Sequence, residues 1–291
     1  FTGRHSGIPK ETRGALGEYD ASAELMELHG AAKIPHRNQD TIVRMLGIDR
    51  EKIHLHEGHT GGGFGIRGEL YPEDILVITA AKRLGRPIKW IEDRQEHMVA
   101  ANQGRNQHHR AKIAVDQNGI ILGMADEFWH DQGGYIRTHG ANVPNRTMCM
   151  LTGAYKVPAY KALCHLRLTN KTPAATYRAP GRFESTFVRE RLMDAVAEKL
   201  GIDRIELRRR NLITAADMPF AINFDEPHVE NLLFDSGDYP ALLNKALTQL
   251  DWVNLQTELT HRRDRGEMVG AGIGIFIEES GKGPQDGSRT E

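Results

Sequence analysis

The run Gly61-Gly62-Gly63-Phe64-Gly65-Ile66-Arg67-Gly68-Glu69 limits what this chain can fold into more than any other stretch. Five of its nine residues are glycine. Glycine loses more backbone freedom on ordering than any other residue, so such a run is neither a helix nor an ordinary strand. What it offers is close approach. With no Cβ atoms in the way, successive N–H groups can point at an anion or an oxygen ligand. A long surface turn is the plain alternative.

Gly63–Gly68 also fits G-x-G-x-x-G, with a strand before it, a helix after it and Glu92 at the end of the next strand, roughly 20 residues on. Three features speak against a dinucleotide fingerprint. The helix starts near Pro72 instead of at the third glycine, the leading strand is interrupted by His54 and His56, and the following chain is hairpin-like. A phosphate-binding Gly-Lys-Ser/Thr ending is absent.

The remaining pattern mixes strands and helices. Strands are expected at 14–19, 25–29, 53–56, 87–91 and 159–168, with a hairpin of 111–115 and 120–124 around Asp116-Gln117-Asn118-Gly119. Helices are expected at 39–46 with Asn38 as N-cap, from Pro72 to about Leu84, at 184–200, at 203–210, at 239–250 and at 253–263. Gly47, Gly85 and Gly201 stand where helices stop. In helix 184–200, Phe187, Val188, Leu192, Ala195, Val196 and Leu200 form the expected apolar stripe. Residues 135–158 and 214–237 read as irregular, and 271–278 as a last strand.

Composition excludes several classes of function. With 38 Lys+Arg against 39 Asp+Glu, the chain has no overall attraction for nucleic acid or anionic membrane. No apolar run reaches the ~20 residues of a membrane span. Cys149 and Cys164 are too few for a disulfide scaffold and lack metal spacing, which points to a reducing, cytoplasmic setting. The first residues, Phe1-Thr2-Gly3, and the last, Gly287 to Glu291, read as cuts within a longer protein.

Three side-chain sets could carry chemistry. His54 and His56 share a strand face and could suit a metal, but no carboxylate or cysteine completes the set at motif spacing, so exposed strand histidines are the simpler reading. Arg208-Arg209-Arg210 could bind phosphate or form a solvated, salt-bridged face beside Glu206. Arg178 and Arg182 lie in a Pro/Gly loop before the strongest helix, where they could clamp an oxyanion or serve structural ion pairs.

Several segments in unbroken order resemble one family. They are Glu11-Thr12-Arg13-Gly14, Gly61-Gly62-Gly63-Phe64-Gly65, Tyr71-Pro72-Glu73-Asp74, the segment Arg83–His97, Tyr177-Arg178-Ala179-Pro180-Gly181-Arg182 and Arg208-Arg209-Arg210-Asn211-Leu212. The family is the molybdenum hydroxylases: xanthine dehydrogenase, aldehyde oxidase and the carbon monoxide dehydrogenase large subunit. The resemblance implies an α+β fold, mixed sheets with packed helices, forming the first molybdenum-cofactor-binding domain of a large subunit. It places that domain at 1–237 and a helical connection, with the first strand of an incomplete second cofactor-binding domain, at 238–291.

The resemblance also implies a molybdenum-pterin cofactor, in its cytosine dinucleotide form, and oxidation of an aldehyde or N-heteroaromatic carbon with water as oxygen source. Electrons would leave to iron–sulfur and FAD groups on partner subunits or domains. Gly62, Gly63, Phe64, Gly65, Arg178 and Ala179 would lie at the cofactor, Arg178 as the catalytic residue, and Arg146, Pro180 and Glu69 on the substrate side. The catalytic base, a Glu in a downstream Gly-Glu pair, would lie beyond these residues.

Departures narrow the substrate. Glu69 stands beyond the place just after the Gly-Phe-Gly loop where the purine enzymes carry Glu, and Pro180 replaces their aromatic. Ala179 occupies the position of the copper-binding Cys of the carbon monoxide enzymes, and Lys33 that of a common Gln. A split or non-catalytic subunit, completed only by a partner chain, is the alternative reading.

Overall fold

The computed structural model describes residues 1–30, 34–224 and 231–278. The chain divides into two compact units. The first comprises residues 1–108, 129–144 and 165–180; the second comprises residues 109–128, 145–164 and 181–291. Lys33 lies outside the described residues.

The first unit contains a four-stranded sheet made of β2 (Gly14–Asp20), β3 (Leu25–Gly30), β4 (Ile53–His56) and β5 (Ile88–Ile91), in the order β4-β3-β2-β5. β1 (Thr2–Ser6) precedes them and pairs antiparallel with β6 (Gln103–Val115). β3 and β4 are parallel, connected by α1 (Pro35–Leu46), while β2 is antiparallel to both β3 and β5. One face of this sheet carries Ala15, Met26, Leu28 and Ile53, buried with Ile42 of α1 and with Val77 and Ile78 of α2 (Pro72–Leu84). Each such side chain taken fully from water contributes about 1.5–3 kcal/mol. Gly17 lets the helix come close: a Cβ there would stand 2.6 Å from the backbone carbonyl of Val77.

α1 corrects one expectation. It begins at Pro35, and Asn38 is buried inside it instead of capping it. Proline at the first position costs no hydrogen bond, because that N–H would be unpaired anyway. α2 starts at Pro72 as expected, with the Asp74 carboxylate accepting from the Tyr71 N–H at 2.8 Å. Gly47, Gly85 and Gly201 all take left-handed backbone at their helix ends.

The hairpin is far longer than its turn signal suggests. β6 pairs with β7 (Ile121–Gly133) in a second sheet of order β1-β6-β7-β8, where β8 is Tyr160–Leu168. Short helices α3 (Arg94–Ala100) and α4 (Asn142–Cys149) flank it in sequence. α4 replaces the irregular stretch expected at 135–158.

The second unit holds α5 (Arg182–Leu200), α6 (Arg204–Asn211), the two-stranded β9 (Phe220–Ile222) and β10 (Leu232–Phe234), α7 (Tyr239–Gln249) and α8 (Trp252–Asp264). Its core joins Ile121, Met124 and Tyr155 with Met193, Val196, Leu207, Leu243 and Leu247. The expected stripe on α5 is partly wrong: Phe187 and Leu200 are exposed, while Arg189 and Glu190 are buried. The reason is an internal ion-pair network. Arg208, fully buried, donates to Glu190 at 2.9 Å and to Asp194 at 3.0 Å, while Arg209 and Arg210 stay on the surface and Arg210 pairs with Glu206 at 2.9 Å, the salt-bridged form of the expected face. Residues 271–278 form no strand ladder. Ile273, Ile275 and Ile277 do alternate against the core, but Arg189 and Arg208 donate to the carbonyls of Ile275 and Ile273 in place of a neighbouring strand.

Candidate functional site

The glycine-rich stretch follows β4 through residues 57–60 and ends in a 3-10 turn, Ile66–Gly68. α2 begins only at Pro72, so Gly63–Gly68 does not open a helix and the dinucleotide pattern has no structural counterpart. Phe64 and Gly65 have successive positive φ angles of 51° and 90°. An alanine methyl at Gly65 would meet the Thr176 methyl at 2.8 Å and its carbonyl oxygen at 3.1 Å. Glycine is required there on both counts.

The second loop, 169–181, comes directly against the first. The Arg178 N–H donates to the Phe64 carbonyl at 2.8 Å, joining two segments far apart in sequence. Ala179 also sits at positive φ, 53°, as do Arg105 at 66° and Asn106 at 64°. Strained non-glycine backbone of this kind costs about 1–3 kcal/mol per residue and gathers at functional sites. Arg105, on the irregular start of β6, holds the loop from behind. Its guanidinium donates to the carbonyls of Arg178 at 2.5 Å and Ala179 at 3.3 Å and lies over the Tyr177 ring.

Glu69 anchors the same loop. Its buried carboxylate accepts from the Thr176 N–H and the Thr138 hydroxyl, each at 3.1 Å, with Arg137 Nε at 3.7 Å and His139 Nδ1 at 3.8 Å. Burial and the Arg37 charge lower the His139 pKa, against the pull of Glu69. Beneath lies Tyr71, whose ring is flanked by the guanidinium carbons of Arg13 at 3.7 Å and Arg137 at 3.9 Å. Its hydroxyl donates to the Ile66 carbonyl at 2.9 Å, and burial raises its pKa to about 12. Arg13 in turn pairs with buried Glu92, which also meets His97 Nδ1 at 2.8 Å. Arg105 and Arg137 escaped sequence reading, and Tyr71 was named only within the segment Tyr71-Pro72-Glu73-Asp74, with no role. The only trace of their roles is an arginine or tyrosine in a segment that does not alternate.

Two features of this site lack partners among the described residues. The N–H groups of Gly62, Gly63, Phe64 and Gly65 have no acceptor among the described residues. The exposed Arg178 guanidinium makes no hydrogen bond or ion pair among them either. Backbone N–H donors on one loop, bonded to a second loop that carries an unengaged guanidinium, suit an anionic, oxygen-rich ligand. Pro180 ends the second loop, and Arg146 lies in α4, within the other unit.

The sequence profile of the molybdopterin cofactor-binding domain matches residues 1–212 of this chain. The chain belongs to that family. Among curated relatives of this molybdopterin cofactor-binding domain, the gamma subunit of the 6-hydroxypseudooxynicotine dehydrogenase complex of Paenarthrobacter nicotinovorans is 39% identical over 282 residues, covering 97% of this chain and 35% of that protein. The carbon monoxide dehydrogenase large chain of Hydrogenophaga pseudoflava is 30% identical over 284 residues, covering 95% of this chain and 34% of that protein. Among solved structures, quinoline 2-oxidoreductase from Pseudomonas putida 86 superposes with a TM-score of 0.84 at 30% identity, over 91% of this chain and 34% of that one. The chain thus spans about a third of the length of the relatives it matches. The α+β architecture expected for this family is the one observed, and no helix among the described residues is long and apolar enough to cross a membrane.

Proposed function

We propose that the chain holds one side of a molybdenum-pterin cofactor in a hydroxylase that oxidises an aldehyde or N-heteroaromatic carbon. Residues 1–237 form the cofactor-binding domain and 238–291 the connection to a second one. The observation that carries this reading is the junction of the two loops, where the Arg178 N–H donates to the Phe64 carbonyl at 2.8 Å, and where the N–H groups of residues 62–65 and the Arg178 guanidinium have no partner among the described residues. When bound, the cofactor supplies two-electron oxidation with water as the oxygen source. The chain's own part is electrostatic.

The N–H groups of Gly62, Gly63, Phe64 and Gly65 would hold the cofactor by donating hydrogen bonds, and the Arg178 guanidinium would supply positive charge for the oxidation. Donors fixed before reaction cost no reorganisation and are each worth about 10²–10³ in rate. Ala179 contributes backbone next to Arg178. Arg146 and Pro180 each carry a substrate-side role in this reading, and Glu69 acts through the second loop, which it anchors by Thr176. The cofactor is the cytosine dinucleotide form, and partner subunits carry iron–sulfur and FAD groups in the cytoplasm.

Arg178→Ala in the assembled complex tests this. Turnover of aldehyde or N-heteroaromatic substrates should fall by at least about tenfold, with molybdenum content by mass spectrometry unchanged. Unchanged turnover would remove Arg178 from the site. A complex without molybdenum or pterin would overturn the whole reading and leave a non-catalytic subunit.

A further inference from the structure

The outer face of the first unit's sheet carries chemistry that the proposed function leaves unused. Met26 and Leu28 of β3 point into the core, so Glu27 and His29 point out, and His54 and His56 of β4 do the same. The register sets Glu27 beside His54, His29 beside His56, and Glu18 of β2 opposite Glu27. Like charges directly opposed across strands are destabilising unless a positive charge sits between them. We propose that Glu27, His54 and His56 bind a divalent transition metal of the zinc class, with water completing the shell.

Distances support this. One ligand atom from each of Glu27, His54 and His56 lies within 4.8 Å of the others, and the same holds for Glu18, Glu27 and His29. His56 Nε2 stands 3.1 Å from Glu27 Oε1, and His29 Nε2 stands 3.2 Å from Glu18 Oε2. A tetrahedral ion with bonds of about 2.0–2.1 Å holds its ligand atoms roughly 3.3 Å apart, so the His56–Glu27 pair is already at coordination spacing. His54 is the third corner, its ligand atom within 4.8 Å of the other two and its ring edge-on to His56 with centroids 6.1 Å apart. His29 stacks on His56 with centroids 4.4 Å apart and keeps that ring in place. Two imidazoles with one carboxylate select zinc, copper or nickel over magnesium or calcium. Such an ion would tie β4, the root of the glycine-rich loop, to β3.

Titration of the chelator-stripped full chain with Zn²⁺ by calorimetry, and with Co²⁺ by visible absorption, tests the site. One saturating equivalent and an intense tetrahedral Co²⁺ band are expected. Affinity should fall at least about tenfold in His54→Gln, His56→Gln and Glu27→Gln, corresponding to about 1.4 kcal/mol. His59→Ala, in the loop beyond β4, should bind as the parent does. Both histidine positions are exposed, so these variants should keep the parent circular dichroism. Absence of saturable binding, or equal affinity in the three ligand variants, would overturn the assignment and leave the cluster as plain His–Glu ion pairs. The inference does not rest on the proposed oxidation, and the metal titration reads out independently of turnover.

Discussion

Substituting Gly65 by alanine isolates the geometry of the loop junction. Two costs apply. The backbone at Gly65 has φ 90° and ψ −22°, where an L side chain costs roughly 1–2 kcal/mol. The new methyl would also stand 2.8 Å from the Thr176 methyl and 3.1 Å from its carbonyl oxygen. Thr176 cannot easily retreat, because its N–H is bound to Glu69 and the next loop residues are bound through Arg178 to Phe64. Overpacking of this kind costs about 1–3 kcal/mol. Reduced freedom of the unfolded chain returns about 0.4–1 kcal/mol. The net loss is about 3 kcal/mol, the midpoint of a range of roughly 1–5, which lowers Tm by roughly 5 °C for a chain of this size. Gly63→Ala is the control: a Cβ there meets nothing within 4 Å, and its φ is not positive. It should move Tm by no more than about 2 °C. Calorimetric scans of the three proteins decide the matter. A Tm for Gly65→Ala within about 2 °C of the control would refute the claim that the two loops are locked together at this point.

Further outcomes follow from the buried charges. Glu92→Gln removes the nearer, fully buried counter-charge of the Arg13 guanidinium and leaves only Glu73 at 3.3 Å, and should cost up to about 3–5 kcal/mol, read as a lower denaturant midpoint. Asp131 gives an acid-side effect. Burial opposes its charge, but Lys171, the Thr169 hydroxyl, the Gly133 N–H and Arg4 outweigh that and hold its carboxyl well below the usual range. A depressed folded pKa means stability present above the unfolded value of about 3.9 and lost as pH falls through the folded one. The Tm advantage of the parent over Asp131→Asn should therefore be full at pH 6 and shrink steadily below about pH 4. A constant gap would show that the Asp131 cluster contributes nothing through charge.

Much of the fold was legible because local signals and burial agreed. Pro72 with Glu73 and Asp74 announced α2, and Asn118-Gly119 announced the hairpin turn. The hairpin's length was not legible. Its far end, Gln103 to Arg110, is polar throughout and gains its strand state from β1 and β7, not from alternation. α4 was hidden by Pro144 at its start. On α5 the apolar stripe misled because Arg189 and Glu190, exposed types by habit, are buried through pairing with one another and with Arg208. Residues 271–278 show the reverse error: true alternation, with guanidinium donors where a strand would be. At the candidate site, Gly62 to Gly65 and Arg178 could be named from their loops, and the structure brings them together. The supporting roles could not be named. Arg105 acts through carbonyl oxygens and Tyr71 through a ring between two cations, neither of which leaves a spacing to detect.

The bond between the Arg178 N–H and the Phe64 carbonyl has one more consequence. Both partners are main-chain atoms, so the joint is blind to the side chains mounted on it. Of the twenty residue types, only proline at 178 would delete the donor. At 64, the positive φ discourages β-branched types but leaves the acceptor in place. Positions 64 and 178 therefore work as sockets. Descendants of this sequence can exchange what projects from them while the distance between the two loops stays inherited.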